Sequence, residues 1–112
     1  YNTDGAEIVL CAYGTVARIC KSAIALAEKN GIKVGLVRPI TIWPFPEADV
    51  RRAICQYSVK KAIVVEISAG QMVEDVKLAV NAEKPIEFLG RPGSLVPTTE
   101  EIFEKIIESR RA

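Results

Sequence analysis

Four polar side chains stand where they could take part in chemistry. Arg38 and Glu66 each end a short apolar run, Arg18 lies one turn into a helical pattern, and Gln71 opens another helical pattern. A guanidinium and a carboxylate on one rim form either a small-ligand site or an ion pair, within the chain or with a partner chain. One acid and one base without a nucleophile or a metal do not define a reaction. We therefore favour the ion pair or the partner contact.

The segment 38–46, R-P-I-T-I-W-P-F-P, carries the aromatic candidates Trp43 and Phe45. Its three prolines exclude a helix interior or a central strand, because proline lacks an N–H donor and has a fixed φ. Its apolar side chains exclude a flexible polar linker, so the segment must pack against a surface. The two rings are either a ligand platform or anchors in an interface or the local core, and anchoring is the commoner role.

The residue types exclude several kinds of catalytic site. The chain contains no histidine, which removes the commonest general base and metal ligand and the Ser–His and Cys–His pairs. Cys11, Cys20 and Cys55 form no C-x-x-C pair, which predicts free thiols in a reducing compartment. Gly14 stands alone, so no phosphate-loop motif is present. Thr15 precedes a helix as either an anion site or a plain cap, and we favour the cap.

Composition and charge limit the class of protein and its partners. The 112 residues are enough for one domain with a core, and they are 49% hydrophobic and 26% charged. A net charge of +1 with scattered Lys and Arg predicts neither nucleic acid nor an anionic membrane as a partner. No apolar run approaches a membrane span of about 18 residues, and no signal-peptide pattern opens the chain. A soluble, cytoplasmic protein is expected.

Strand and helix patterns alternate along the chain. Apolar runs predict strands, helical spacing of apolar residues predicts helices between them, Asn30-Gly31 ends the first helix, and Thr98 with Glu101 forms a capping box before the last helix. The predicted strands are 7–13, 34–37, 62–66 and 86–89, and the predicted helices are 16–29, one that starts at 46–47, 70–80, and one after residue 98.

This alternation predicts an α/β fold. Strands that are apolar nearly throughout are buried on both faces, which indicates a three-layer α/β/α domain with a mostly parallel sheet of four to five strands. Ligands of such sheets bind beyond the carboxyl ends of the strands. The segments expected there are 13–15, 38–43, 66–71 and 90–93, which places Arg38, Trp43, Glu66 and Gln71 on one rim.

Three motifs carry a resemblance to a known family. They are Y-G-T-V-A-R at 13–18, G-L-V-R-P-I-T-I-W-P-F-P at 35–46 and V-V-E-I-S-A-G-Q-M-V-E-D-V at 64–76. Together they resemble the C-terminal domain of the alpha chain of the 2-oxoacid:ferredoxin oxidoreductases, nearest the 2-oxoisovalerate and 2-oxoglutarate types. A transketolase-like or dehydrogenase domain is the alternative within the enzymes, and E-x-x-x-G-Q-M at 66–72 favours the ferredoxin-linked family.

The resemblance implies a fold like the transketolase C-terminal domain, with a fifth edge strand before Glu7. It implies that 1–112 is a single domain and a fragment of a longer alpha chain. The whole enzyme would oxidatively decarboxylate a 2-oxoacid to an acyl-CoA and reduce ferredoxin. Its expected partners are the rest of the alpha chain, the beta and gamma/delta subunits, ferredoxin and CoA.

The same resemblance places thiamine diphosphate, Mg²⁺ and the iron–sulfur clusters elsewhere in the complex. No catalytic, cofactor-binding or metal-binding residue is therefore expected in this chain. The expected rim and interface contacts are Arg18, Arg38, Trp43, Phe45, Glu66 and Gln71. The alternative is a stand-alone small-ligand-binding or regulatory module of the same fold, with its ligand at the Arg38/Glu66 rim.

Overall fold

A computed structural model describes residues 5–12, 15–38, 47–56, 58–66, 76–78, 80, 84–90 and 97–111. These residues form four strands and three helices, and residues 76–78 and 80 are also helical. In chain order the elements are β1 (Ile8–Cys11), α1 (Thr15–Lys29), β2 (Val34–Val37), α2 (Glu47–Ile54), β3 (Lys61–Glu66), β4 (Ile86–Gly90) and α3 (Thr99–Arg111).

The four strands form one sheet in the order β2-β1-β3-β4, and every neighbouring pair is parallel. Leu10 in β1 stands opposite Leu36 in β2 and Ile63 in β3, so these three adjacent strands present their apolar side chains in register. The predicted parallel α/β sheet is confirmed. The fifth strand, expected before Glu7, lies outside the described residues.

Two apolar cores lie on the two faces of the sheet. Successive strand residues point to opposite faces, so Ile8 and Leu10 enter one core while Val9 and Cys11 enter the other. The first core is covered by α1 and α3, and the second by α2 and the helical residues Val76 and Val80. All four residues of β1 are buried, which explains why the sequence of this strand is apolar without alternation.

Helix α1 ends as its sequence predicts. Gly31 has a φ of 77°, in the left-handed region that an L side chain rarely adopts. The Ile32 N–H donates to the Ala27 carbonyl and the Gly31 N–H to the Glu28 carbonyl, both at 3.0 Å. These two bonds are the Schellman motif. Ile32 is buried and adds the apolar contact that often accompanies this motif.

The capping box before α3 is also confirmed. The Glu101 N–H donates to Thr98 Oγ1 at 3.1 Å, and the Thr98 N–H donates to Glu101 Oε1 at 3.1 Å. Each side chain thus satisfies a backbone donor that the helix leaves unpaired. Beyond the cap, Ile102 and Ile106 are fully buried, and two half-buried neighbours pack against the same core.

The element bounds differ from the prediction by one or two residues. Strand β1 is shorter than 7–13, α1 begins one residue earlier, β3 begins at Lys61, and β4 extends to Gly90. A strand ends where its pairing with the neighbouring strand ends. Lys61, for example, belongs to β3 because it pairs with Ile8, and the pattern of apolar residues in β3 alone does not indicate that pairing. The start of the predicted helix 70–80 lies outside the described residues, but its inward Val76 and Val80 are buried as expected.

Candidate functional site

The carboxyl ends of the parallel strands form one edge of the sheet. In spatial order, Arg38 follows β2, Ala12 follows β1, Glu66 ends β3 and Gly90 ends β4. We call this edge the rim. The topology therefore brings the four strand ends at which the predicted segments begin to one side of the domain, which is where α/β sheets bind ligands.

Arg38 and Glu66 do not end neighbouring strands. Strand β1 lies between β2 and β3, and Cys11 pairs with Val37 on one side and with Val64 on the other. Two strand spacings separate the backbones of β2 and β3, about 9.5 Å in all. The two residues share the rim as predicted, but a whole strand stands between their backbones.

Two of the predicted arginines are exposed to solvent. Arg38 is exposed, and Arg18 is exposed in the first turns of α1. The first turn of α1 carries no acidic residue, so the positive end of the helix and the Arg18 guanidinium both favour an acidic or polar partner group. Trp43, Phe45 and Gln71 lie outside the described residues.

The topology also defines a switch point on this rim. After β1 the chain passes to the face covered by α1, whereas after β3 it passes to the face where Val76 and Val80 are buried. The helical residues that follow these two adjacent strands thus lie on opposite faces of the sheet, and doubly wound sheets bind ligands at such a switch point. It lies between β1 and β3, beside Ala12 and the end of β3.

Cys11 and Cys20 do not supply a nucleophile or a cluster ligand. Burial raises the pKa of the Cys11 thiol to about 12, with a further contribution from nearby Cys20, and burial likewise raises the pKa of Cys20 to about 12. Metal ligands and nucleophiles are thiolates, so both groups behave as small apolar core residues at neutral pH. All three cysteines are free, and Cys55 is half-buried. In the part of the chain that the structure describes, no three His, Cys, Asp or Glu residues group to hold a metal ion.

A polar cluster that sequence reasoning missed is centred on Glu87, the second residue of β4. Glu87 Oε2 lies 3.0 Å from Lys61 Nζ, and Oε1 lies 3.0 Å from Lys105 Nζ. Ser109, which is buried, donates its hydroxyl to Oε1 at 2.8 Å. The only signals in the sequence are a carboxylate inside an apolar strand and the i, i+4 spacing of Lys105 and Ser109 on the facing helix.

The electrostatics of this cluster identify it as structural. Burial alone would raise the pKa of Glu87, but the hydrogen bonds from Lys105, Ser109 and Lys61, with the charge of Lys105, lower it to about 2. The carboxylate is therefore charged at any physiological pH and cannot serve as a general base. Lys61 begins β3, so the cluster lies toward the amino ends of the strands, away from the rim. It ties β3, β4 and α3 together.

No helix among the described ranges is long and apolar enough to cross a membrane.

A family model matches most of the chain. The model of pyruvate:ferredoxin oxidoreductase core domain II covers residues 6–102. This range includes all four strands, α1, α2 and the start of α3.

Curated relatives agree with that match. Ketoisovalerate oxidoreductase subunit VorB of Methanothermobacter marburgensis is 42% identical over 111 residues, which is 96% of this chain and 30% of the relative. 2-Oxoglutarate synthase subunit KorA of the same organism is 33% identical over 105 residues, or 94% of this chain and 28% of the relative. The chain thus spans about a third of the length of these relatives.

Two solved structures share the fold. A 2-oxoglutarate:ferredoxin oxidoreductase from Magnetococcus marinus, with 2-oxoglutarate, coenzyme A and succinyl-CoA bound, superposes with a TM-score of 0.73 at 25% identity. It covers 92% of this chain and 18% of that chain. A split-gene transketolase, an inactive beta4 tetramer, superposes with a TM-score of 0.77 at 12% identity and covers 91% of this chain and 37% of that chain. The second likeness shows the fold alone, and it is the transketolase-like fold that the sequence predicts.

Proposed function

Because the chain belongs to the pyruvate:ferredoxin oxidoreductase core domain II family, we propose that it is the non-catalytic C-terminal domain of the alpha chain of a 2-oxoacid:ferredoxin oxidoreductase. The observation that carries the proposal is the family match over residues 6–102. One VorB and one KorA relative, each more than three times as long as this chain, support the assignment to an alpha chain that continues beyond one domain.

The whole enzyme is proposed to convert a 2-oxoacid and CoA to an acyl-CoA and carbon dioxide, with two electrons passed to ferredoxin. The Magnetococcus marinus enzyme holds 2-oxoglutarate, coenzyme A and succinyl-CoA, the substrates and product of one such reaction. The relatives named for ketoisovalerate and for 2-oxoglutarate favour a branched-chain or dicarboxylic 2-oxoacid. The proposed partners are the rest of the alpha chain and the beta and gamma/delta subunits.

The family's cofactors do not fit the side chains that the structure describes. Thiamine diphosphate supplies the carbanion chemistry of these enzymes when it is bound, and iron–sulfur clusters carry the electrons. A cluster needs thiolates, whereas the pKa values of Cys11 and Cys20 are raised to about 12 by burial. A magnesium-bound diphosphate needs oxygen ligands that converge on the metal, and the described ranges contain no group of three His, Cys, Asp or Glu residues that could hold a metal ion. We therefore assign no catalytic step to this chain.

The proposed task of the chain is to dock the rim against the rest of the enzyme. The exposed guanidinium groups of Arg18 and Arg38 can pair with acidic or polar groups of the facing domain. Trp43 and Phe45, with Glu66 and Gln71, are proposed to complete that contact, as their rim segments suggest. A bidentate guanidinium contact fixes both position and angle, which suits a domain that must hold an active site assembled from other parts.

Reconstitution tests this function. The full-length alpha chain, purified with its partner subunits, should reduce ferredoxin in a reaction that requires both a 2-oxoacid and CoA. The 112-residue chain alone should show no activity and no binding of thiamine diphosphate by calorimetry. Tight cofactor binding by the isolated chain would contradict the non-catalytic assignment, and an assembled complex that is inactive on every 2-oxoacid would contradict the proposed reaction.

A second candidate, a small-ligand or regulatory module, is favoured by one observation, the topological switch point between β1 and β3. Arg38→Ala separates the two candidates. If the rim docks a domain, the substitution should lower retention of the partner subunits on size exclusion. If the rim binds a ligand, assembly should be unchanged and only the response of activity to added metabolites should differ.

A further inference from the structure

The outer face of α3 carries a line of carboxylates. Glu100, Glu104 and Glu108 are four residues apart, so they lie one above another along the helix, and all three are exposed. Like charges at this spacing destabilise a helix. Glu100 gains from the positive amino end of the helix, but Glu108 stands in the last turns, where the helix dipole disfavours a carboxylate.

Neighbouring cations do little to neutralise this line. Lys105 Nζ lies 3.8 Å from Glu108 but closer, at 3.0 Å, to Glu87. The side chains of Glu100 and Glu104 have no ion pair or hydrogen bond to any other residue in the described ranges. Arg110, on the same helix, is paired with Glu7 at 3.0 Å. Among the described residues, only Glu108 of these three carboxylates therefore has an ion-pair partner.

An apolar groove runs beside the carboxylates. It is open, has a volume of about 390 Å³, and is lined by Phe103, Glu104, Ile107 and Glu108. Phe103 and Ile107 are half-buried and pack against the core formed by α1, α3 and the sheet. The buried part of each side chain thus packs in the core, and the exposed part forms the floor of a groove that is bordered by carboxylates. We call these five residues, Glu100, Phe103, Glu104, Ile107 and Glu108, the acidic face.

We propose that the acidic face docks a basic amphipathic helix from another part of the assembled oxidoreductase. The matching helix presents Lys or Arg at i and i+4, opposite Glu104 and Glu108, and sets aliphatic side chains into the groove over Phe103 and Ile107. Charge complementarity selects the occupant, because the carboxylates repel nucleic acid and anionic lipid. The identity of the larger assembly rests on the proposed function.

A photo-crosslink in the assembled protein tests this inference. The full-length protein is purified with its associated subunits after Glu104→p-benzoylphenylalanine substitution, irradiated, and digested for mass spectrometry. The control is the same substitution at Asp49, which is exposed on α2. The expected crosslink from position 104 joins a segment with at least two Lys or Arg residues at helical spacing beside aliphatic residues, and position 49 does not reach that segment.

A second measurement isolates the charges. With the crosslinker at position 100, E104Q/E108Q should lower the yield of the same crosslink about 3- to 10-fold, the effect expected of two exposed charge pairs. The matched variant D49N, which also removes an exposed carboxylate, should leave that yield unchanged. No crosslink beyond the domain, a crosslink to an acidic or uncharged segment, or an equal loss with D49N would overturn the inference. The subunit composition of the purified assembly tests the proposed function separately.

Discussion

Replacing Glu87 by Gln keeps the shape of this side chain and removes its charge, so it measures what the Glu87 cluster contributes to stability. The carboxylate lies 3.0 Å from both Lys61 Nζ and Lys105 Nζ. Lowering the pKa from 4.5 to about 2 corresponds to at most about 3 kcal/mol, at about 1.36 kcal/mol per pH unit. The side chain is 27% exposed, so water and salt screen part of this value. We expect Glu87→Gln to lower the free energy of unfolding by about 1–2 kcal/mol at pH 7.

The stabilisation that Glu87 contributes should fall as the pH falls. The pKa of Glu87 is lower in the folded chain than its ordinary value of 4.5. Its contribution is therefore complete above pH 4.5 and is lost as the pH falls toward 2. Urea denaturation followed by circular dichroism should show the difference between wild type and Glu87→Gln at pH 7, and a shrinking difference between pH 4.5 and pH 3.

The control for this experiment is the exposed pair of Asp49 and Arg52. Their atoms lie 3.5 Å apart with side chains 73% and 78% exposed, so Asp49→Asn should cost less than about 0.5 kcal/mol. A Glu87→Gln variant as stable as wild type at pH 7 would refute the reasoning. A loss of stability that does not change with pH would also refute it, because it would show that the charge is not responsible.

Three further predictions concern the core, a helix cap and the thiols. Leu10→Ala, at a fully buried site in the central strand, should cost about 2–5 kcal/mol in urea denaturation, whereas Leu78→Ala, at a site 73% exposed, should stay within about 0.5 kcal/mol. Thr98→Ala should lower the free energy of unfolding by about 1 kcal/mol, and Thr98→Ser should restore most of it. In the folded protein at pH 8, iodoacetamide followed by mass spectrometry should modify half-buried Cys55 before Cys11, and equal rates would contradict the burial of Cys11.

Local features of the fold were predictable because each depends on residues close in sequence. The left-handed cap at Gly31 favours a glycine two residues after the last helical residue, and the capping box needs Thr98 and Glu101 three residues apart. The apolar run of β1 indicates burial on both faces, which its four buried residues confirm. The family motifs are also contiguous, and the family they indicate is the one that matches residues 6–102.

The candidate site was only partly predictable. The rule that ligands bind at the carboxyl ends of parallel strands places Arg38 and Glu66 on one rim, and the structure agrees. The same rule says nothing about the order of strands across the sheet, so it did not place β1 between them. The Glu87 cluster was missed because it depends on tertiary contacts: Glu87 lies 26 positions from Lys61 and 22 positions from Ser109 along the chain.

By itself the amino-acid sequence determined the alternation of strands and helices, the caps of α1 and α3, and the family motifs. Only the tertiary structure decided the strand order β2-β1-β3-β4, the separation of Arg38 from Glu66, the ion pairs of Glu87, and the exposure of the acidic face of α3. Periodicity and capping act through a few neighbouring residues, whereas these other features depend on which distant segments pack together. Packing of that kind is settled by the fold as a whole.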